Sequence, residues 1–114
     1  MPHDPLLEQR VRRFLDARGI EHEAKRMMGG LCFMVNGKMC VGIEKNRLMA
    51  RIDPEAEAHA LTKPGCKPMD FTGRPMRGFV FIEPLGTRND AQLADWLNLA
   101  LEFNPKARAS QKRK

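Results

Sequence analysis

Tyrosine is absent, tryptophan occurs once, and aromatic residues make up only 6% of the 114 positions. A nucleic-acid reader that stacks bases on aromatic platforms is therefore disfavoured. Cysteine is scarce and odd in number. Cys32, Cys40 and Cys66 form no C-x-x-C pair, so reduced thiols are expected in place of a disulfide framework. No apolar run approaches the ~18 residues of a membrane span, and Met1-Pro2-His3-Asp4-Pro5 has neither the basic nor the apolar region of a leader. A cytoplasmic setting without membrane contact is expected.

Motifs that carry chemistry are missing as well. His3, His22 and His59 share no H-x-E or H-x₃-H spacing, so no metal set is expected. G-x-S-x-G, P-loop and dinucleotide fingerprints do not occur, and Gly29-Gly30 lacks the further glycines of a phosphate cradle. That pair is read as permitting a bulge or a close strand crossing. Asp70 with Arg74 or Cys66 supplies residue types for acid–base or thiol chemistry, but no base-plus-nucleophile arrangement. The chain is expected to have no catalytic residues and no cofactor.

What is present reads as one globular domain over 1–105. The sequence is 42% hydrophobic and 30% charged, inside the globular range. The net charge of +6 is concentrated at the end, where Lys106, Arg108, Lys112, Arg113 and Lys114 stand without an acid. The segment 106–114 is expected to be a disordered basic tail, and these five residues are the candidate nucleic-acid contacts. Tail contacts alone would be weak and sequence-blind.

Leu7, Val11, Phe14 and Leu15 form one stripe of a helix predicted from Pro5 to Arg18, with Asp4 as N-cap and Gly19 after its end. Val35-Asn36-Gly37-Lys38 predicts a type I′ hairpin, and a reversal at Lys45-Asn46 extends it to a three-stranded meander. Asp53-Pro54 opens a short helix through Leu61. Residues 62–78 hold three prolines and three glycines and read as a long loop. Phe79–Ile82 reads as a strand, and Leu93, Trp96, Leu97, Ala100 and Leu101 mark a final helix capped by Asn89 or Asp90. The fold class expected is α+β: an antiparallel sheet of a three-stranded meander plus one or two further strands, with helices packed on one face.

Two-residue turns fix a register. In it, Cys32, Met34, Met39, Val41, Ile43, Leu48, Ala50 and Ile52 lie beneath the helices, and Leu31, Phe33, Val35, Lys38, Cys40, Glu44, Arg47, Met49 and Arg51 lie on the reverse. A mixed reverse face, more apolar than a solvated one needs to be, implies either a contact surface for another copy or another protein, or a lid made by the 62–78 segment through Met69, Phe71 and Met76.

The runs Lys25–Met39 and Pro68–Val80 resemble the opening and mid-chain motifs of the TfoX/Sxy N-terminal domain family, in order and across about Leu7 to Leu101. The resemblance implies an α+β layer fold and a short stand-alone member. Larger relatives regulate bacterial competence genes but carry a second, helical domain. Met28 and Asp53 depart from the family pattern, where an aromatic residue and a glycine are usual. The expected role is a non-catalytic regulatory or protein-interaction module, with weak nucleic-acid association through the tail, or anion and small-ligand binding by the 62–78 loop, as alternatives. The candidate ligand or partner residues are Arg51, Lys67, Asp70, Arg74, Arg77, Phe33 and Met49, with Arg51, Arg74 and Arg77 expected to converge.

Overall fold

The computed structural model of the chain describes residues 4–27, 29–71 and 74–107, with side chains described throughout that set except at 70, 71 and 74–76. Helix α1 spans Pro5–Ala17 because both ends are marked in the sequence. The Asp4 carboxylate accepts from the Leu6 amide at 2.9 Å. At the other end the Gly19 and Ile20 amides donate to Asp16 and Leu15 carbonyls at 3.0 and 2.9 Å, the paired bonds of a Schellman stop.

Six strands follow in one antiparallel sheet: β1 Glu23–Met27, β2 Gly30–Val35, β3 Lys38–Glu44, β4 Arg47–Arg51, β5 Cys66–Phe71 and β6 Arg74–Ile82. Their order across the sheet is β1-β2-β3-β4-β6-β5. Asn36 and Gly37 have φ of 56° and 75°, as the type I′ turn requires. Six strands are one more than the upper count expected. β1 escaped notice because Glu-Ala-Lys-Arg-Met has no apolar alternation, and an edge strand does not need one. The segment read as a loop is largely the β5–β6 hairpin. Pro68 is tolerated because β5 is the outer strand, where a missing N–H costs no ladder bond.

The expected facing of β2 is corrected by a bulge. Val35 pairs with Lys38 and Met34 with Met39 as the turn dictates, but Phe33 then pairs with Val41, so Cys40 is the extra residue. One inserted residue reverses every side chain beyond it relative to the partner strand. Leu31, Phe33, Val35 and Cys40 consequently join Val41, Ile43, Leu48, Ala50 and Ile52 in the main core, while Cys32, Met34 and Met39 join Met49 on the reverse. Gly30 permits the close crossing read from the glycine pair. A Cβ there would lie 1.9 Å from the Ile43 carbonyl oxygen.

After β4, the Asp53 carboxylate caps a 3-10 turn, Pro54–Ala56, that leads into α2, Glu57–Ala60. A second 3-10 turn, Pro84–Thr87, follows β6. Helix α3, Asp90–Phe103, begins with a reciprocal capping box between Asn89 and Gln92. Leu7, Val11 and Leu15 of α1 and Leu93, Trp96, Leu97 and Ala100 of α3 cover the same sheet face. Beyond α3 the chain stays ordered to Ala107. Asn104 is 2% exposed, donates to the Val35 carbonyl at 3.0 Å and accepts from Asn36 at 2.8 Å. Lys106 belongs with Asn104 to a third 3-10 turn, Asn104–Lys106. Residues 108–114 lie outside the described set. No described helix is long and apolar enough to cross a membrane.

Candidate functional site

The reverse face carries a second apolar cluster of Cys32, Met34, Met39, Met49, Met69 and Phe81, with Met27 and Phe79 at its margin. All six core members are buried within the single chain. Of the two readings of this face, the open contact surface is thereby corrected: the predicted patch of Leu31, Phe33 and Val35 is the main core, and the residues in its place are covered. Met69 on β5 contributes to that cover, as the intramolecular reading required. Sulfur-bearing side chains suit a face of this kind because unbranched thioethers fill irregular space.

Phe33, expected as a contact residue, is 0% exposed beneath Arg12, whose guanidinium lies 5.3 Å from the ring centroid. His22 meets its edge at 5.8 Å. Met49 is likewise fully buried. Neither presents a surface to a partner.

Charged groups border the reverse face. Arg51 lies over the Phe79 ring at 5.3 Å, its pKa lowered by burial. Arg47 stacks on Phe81 at 3.7 Å, donates to Glu44 and faces Glu83 at 3.7 Å. Lys67 reaches the same Glu83 carboxylate at 3.9 Å while remaining exposed. Arg77 is exposed on β6. The side chains of Asp70 and Arg74, and the residues Arg108, Lys112, Arg113 and Lys114, fall outside the described set, as does the expected convergence of Arg51, Arg74 and Arg77. What is visible is a chain of ion pairs that runs from Glu44 through Arg47 and Glu83, just after β6, to Lys67 on β5.

The three thiols are free and buried. Burial pushes Cys32 up to about 11 and Cys40 up to about 12, with Arg51 pulling the latter down in part. Cys66 is pushed up to about 11 by burial and then by Glu57, against Lys63. Cys32 and Cys40 lie on opposite faces, each on the side opposite to the one expected. Among the described residues no three His, Cys, Asp or Glu side chains gather as a metal would need.

The surface that sequence reasoning missed is on the helical side. Leu6 is 68% and Leu85 52% exposed, the two large apolar side chains left in solvent among the described residues. Leu6 lines a hollow of about 400 Å³ with Leu7, Arg10, Asn46, Pro84 and Arg88, and Leu85 follows Pro84 directly. A second hollow of about 240 Å³ lies between α1 and α3, lined by Arg10, Arg13, Phe14, Ala17, Leu93 and Ala94, with Asp90 at its edge. Arg10 borders both and reaches Asp90 at 3.4 Å. The available signal was Leu6 itself, an apolar residue off the buried Leu7–Val11–Leu15 stripe.

Comparison with curated proteins and with solved structures finds no match. A family model, described as the TfoX N-terminal domain, matches residues 17–104. That range contains the whole sheet, with its bulge and its β5–β6 hairpin, and all of α3. On this match, and with the α+β layer fold that accompanies it, the chain belongs to the TfoX N-terminal domain family.

Proposed function

We propose that this chain is a non-catalytic regulatory or protein-interaction module of cytoplasmic setting. The observation that carries the reading is the pair of exposed leucines, Leu6 lining a hollow on the helical face and Leu85 next to its Pro84, because apolar side chains left in solvent beside a concavity offer area that a partner can bury. The buried thiols with raised pKa values support the non-catalytic part, since a thiolate nucleophile needs the opposite environment. They also suit a reducing compartment.

A photoreactive residue placed at Leu6, at Leu85, or at the exposed β1 position Lys25 tests the module reading in cells. Discrete adducts from both leucine positions and none from Lys25 are expected. Absence of any adduct at Leu6 and Leu85 would overturn it.

A further inference from the structure

Two polar residues are buried among those described, Asn104 and Thr87. Asn104 is satisfied at both ends of its amide, by the Val35 carbonyl at 3.0 Å and the Asn36 amide at 2.8 Å. Thr87 is not. It is 3% exposed, and its hydroxyl has no hydrogen-bond partner among the described residues. A buried hydroxyl left unpaired costs free energy, and valine would fill the same space without that cost. Packing alone therefore does not account for a threonine here.

Thr87 lines the hollow of about 400 Å³ at the start of α1. Leu6, Asn46, Pro84 and Arg88 of the same wall are exposed, whereas Thr87 and Leu7 are buried, so these two form the floor. Some of the charge in the wall is already engaged. The Asp4 carboxylate accepts from the Leu6 amide at 2.9 Å, and Arg10 reaches Asp90 at 3.4 Å. The Arg88 guanidinium and the Asn46 side-chain amide have no partner among the described residues.

One cation, one hydroxyl and one amide are thus left for an occupant, beside an apolar side made by Leu6 and Pro84. A single carboxylate on a short apolar body matches that set. A guanidinium fork takes a carboxylate through two parallel bonds, the hydroxyl of the preceding residue can donate to the same group, and Leu6 loses its contact with water. Asp4 keeps its charge in the wall, which disfavours a dianion such as a phosphate monoester.

We infer that this hollow binds a small organic monocarboxylate, held through Thr87 and Arg88. The inference goes beyond the interaction-module reading, because it assigns a ligand and does not depend on a protein partner. It also leaves aside the hollow between α1 and α3, which shares only Arg10 with this one.

The probes are straight, branched and aromatic monocarboxylic acids of about three to eight carbons, each beside its neutral primary amide. They are titrated into the isotope-labelled full chain and followed by amide NMR. At least one acid is expected to shift the Leu6, Asn46, Thr87 and Arg88 signals saturably with a Kd of about 1 mM or below. Its amide should bind about tenfold or more weakly. T87V should melt no lower than the wild type, because no protein hydrogen bond is lost, and should bind that acid about tenfold more weakly. R88Q should erase the preference for acid over amide with its melt unchanged, because Arg88 is exposed. No saturable shift at these residues by any acid up to about 10 mM, or equal binding of acid and amide, overturns the inference. Unchanged affinity in T87V overturns it too and leaves the hydroxyl to a water, while a T87V melt lower by about 5 °C or more shows a structural role for the hydroxyl instead. Photoadducts from Leu6 in cells without acid binding sink the ligand site alone, and acid binding without adducts sinks the module reading alone.

Discussion

At the scale of single residues, close approach decides more than chemistry. Gly30 has the Ile43 carbonyl where a Cβ would be, and backbone cannot swing aside as a side chain can. Gly30→Ala is therefore expected to cost about 1–3 kcal/mol, read as a Tm lowered by roughly 5–20 °C. Gly42 differs in degree, because its Cβ would meet the Leu31 carbonyl oxygen at 3.0 Å, together with the Met49 Cε at 2.8 Å and the Cys32 Sγ at 3.1 Å. The backbone there is farther off than the Ile43 oxygen is from Gly30 and the end of Met49 can shift, so Gly42→Ala should cost less than Gly30→Ala in parallel melts. The thiols give a pH dependence of definite sign. Each folded pKa is raised above 9.0, so the fold favours the protonated form. The stability this supplies is whole below pH 9 and is lost as pH climbs through about 11 to 12. Urea midpoints measured from pH 8 to 11 should fall more steeply for the wild type than for Cys40→Ala, and parallel slopes would refute the point. Native protein at pH 8 should also resist a thiol reagent that labels all three cysteines in guanidinium.

At the scale of elements, helices were legible in the sequence and strand facing was not. α1 and α3 carry caps, stops and apolar stripes within their own residues, so local chemistry sufficed. The meander's turns were equally local, since Asn36-Gly37 needs nothing beyond itself. The face of β2 depends on Cys40, a residue of no distinctive bulge chemistry, and on how six strands stack, which no short window reports. β1 lacked pattern because edge strands are free of the alternation that marks central ones, while in β5 the charges of Lys67 and Asp70 do alternate with Met69 and Phe71, but the surrounding prolines and glycines read as loop. The same logic hid the α1–α3 groove, which exists only once two distant helices lie side by side. Two variants test this account. Deleting Cys40 should leave Met34 opposite Met39 and Phe33 opposite Val41 in an unbulged ladder, so the variant should still unfold cooperatively, and loss of the cooperative melt would refute the assignment of Cys40 as the extra residue. Phe33→Ala should cost roughly 3–5 kcal/mol as a core truncation, where the reading as a contact residue would leave the melt unmoved.

For the whole molecule, charge and fold are separable. The last nine residues hold five of the six net positive charges, and Arg10, Arg12, Arg18, Arg47 and Arg51 of the body are engaged with Glu8, Glu44, Glu83, Asp90 or aromatic rings. Any affinity for duplex DNA is expected to reside in the tail and to fall steeply with log salt. A chain ending at Ala107, which keeps the Asn104 bonds to Val35 and Asn36, should melt as the full chain does and lose that affinity. Equal binding by the truncated protein at about 150 mM salt would place a basic surface in the body.

The strand order also bears on time. β1 to β4 lie in the sheet as they lie in the chain, each beside its predecessor, and the one departure is β4, whose other neighbour is β6. A strand leaving a ribosome can therefore meet its partner within a few residues until β4, which must wait for Arg74–Ile82 to emerge. Until then β4 offers an unpaired edge, and β6 needs β5 as its own outer guard. Helix α3 can seal the core only after both. Synthesis thus has one vulnerable interval, about thirty residues long by the span from Arg51 to Ile82 and at ~5–20 residues per second only a few seconds. In that interval a chaperone or a neighbouring nascent chain competes with β6 for the same edge.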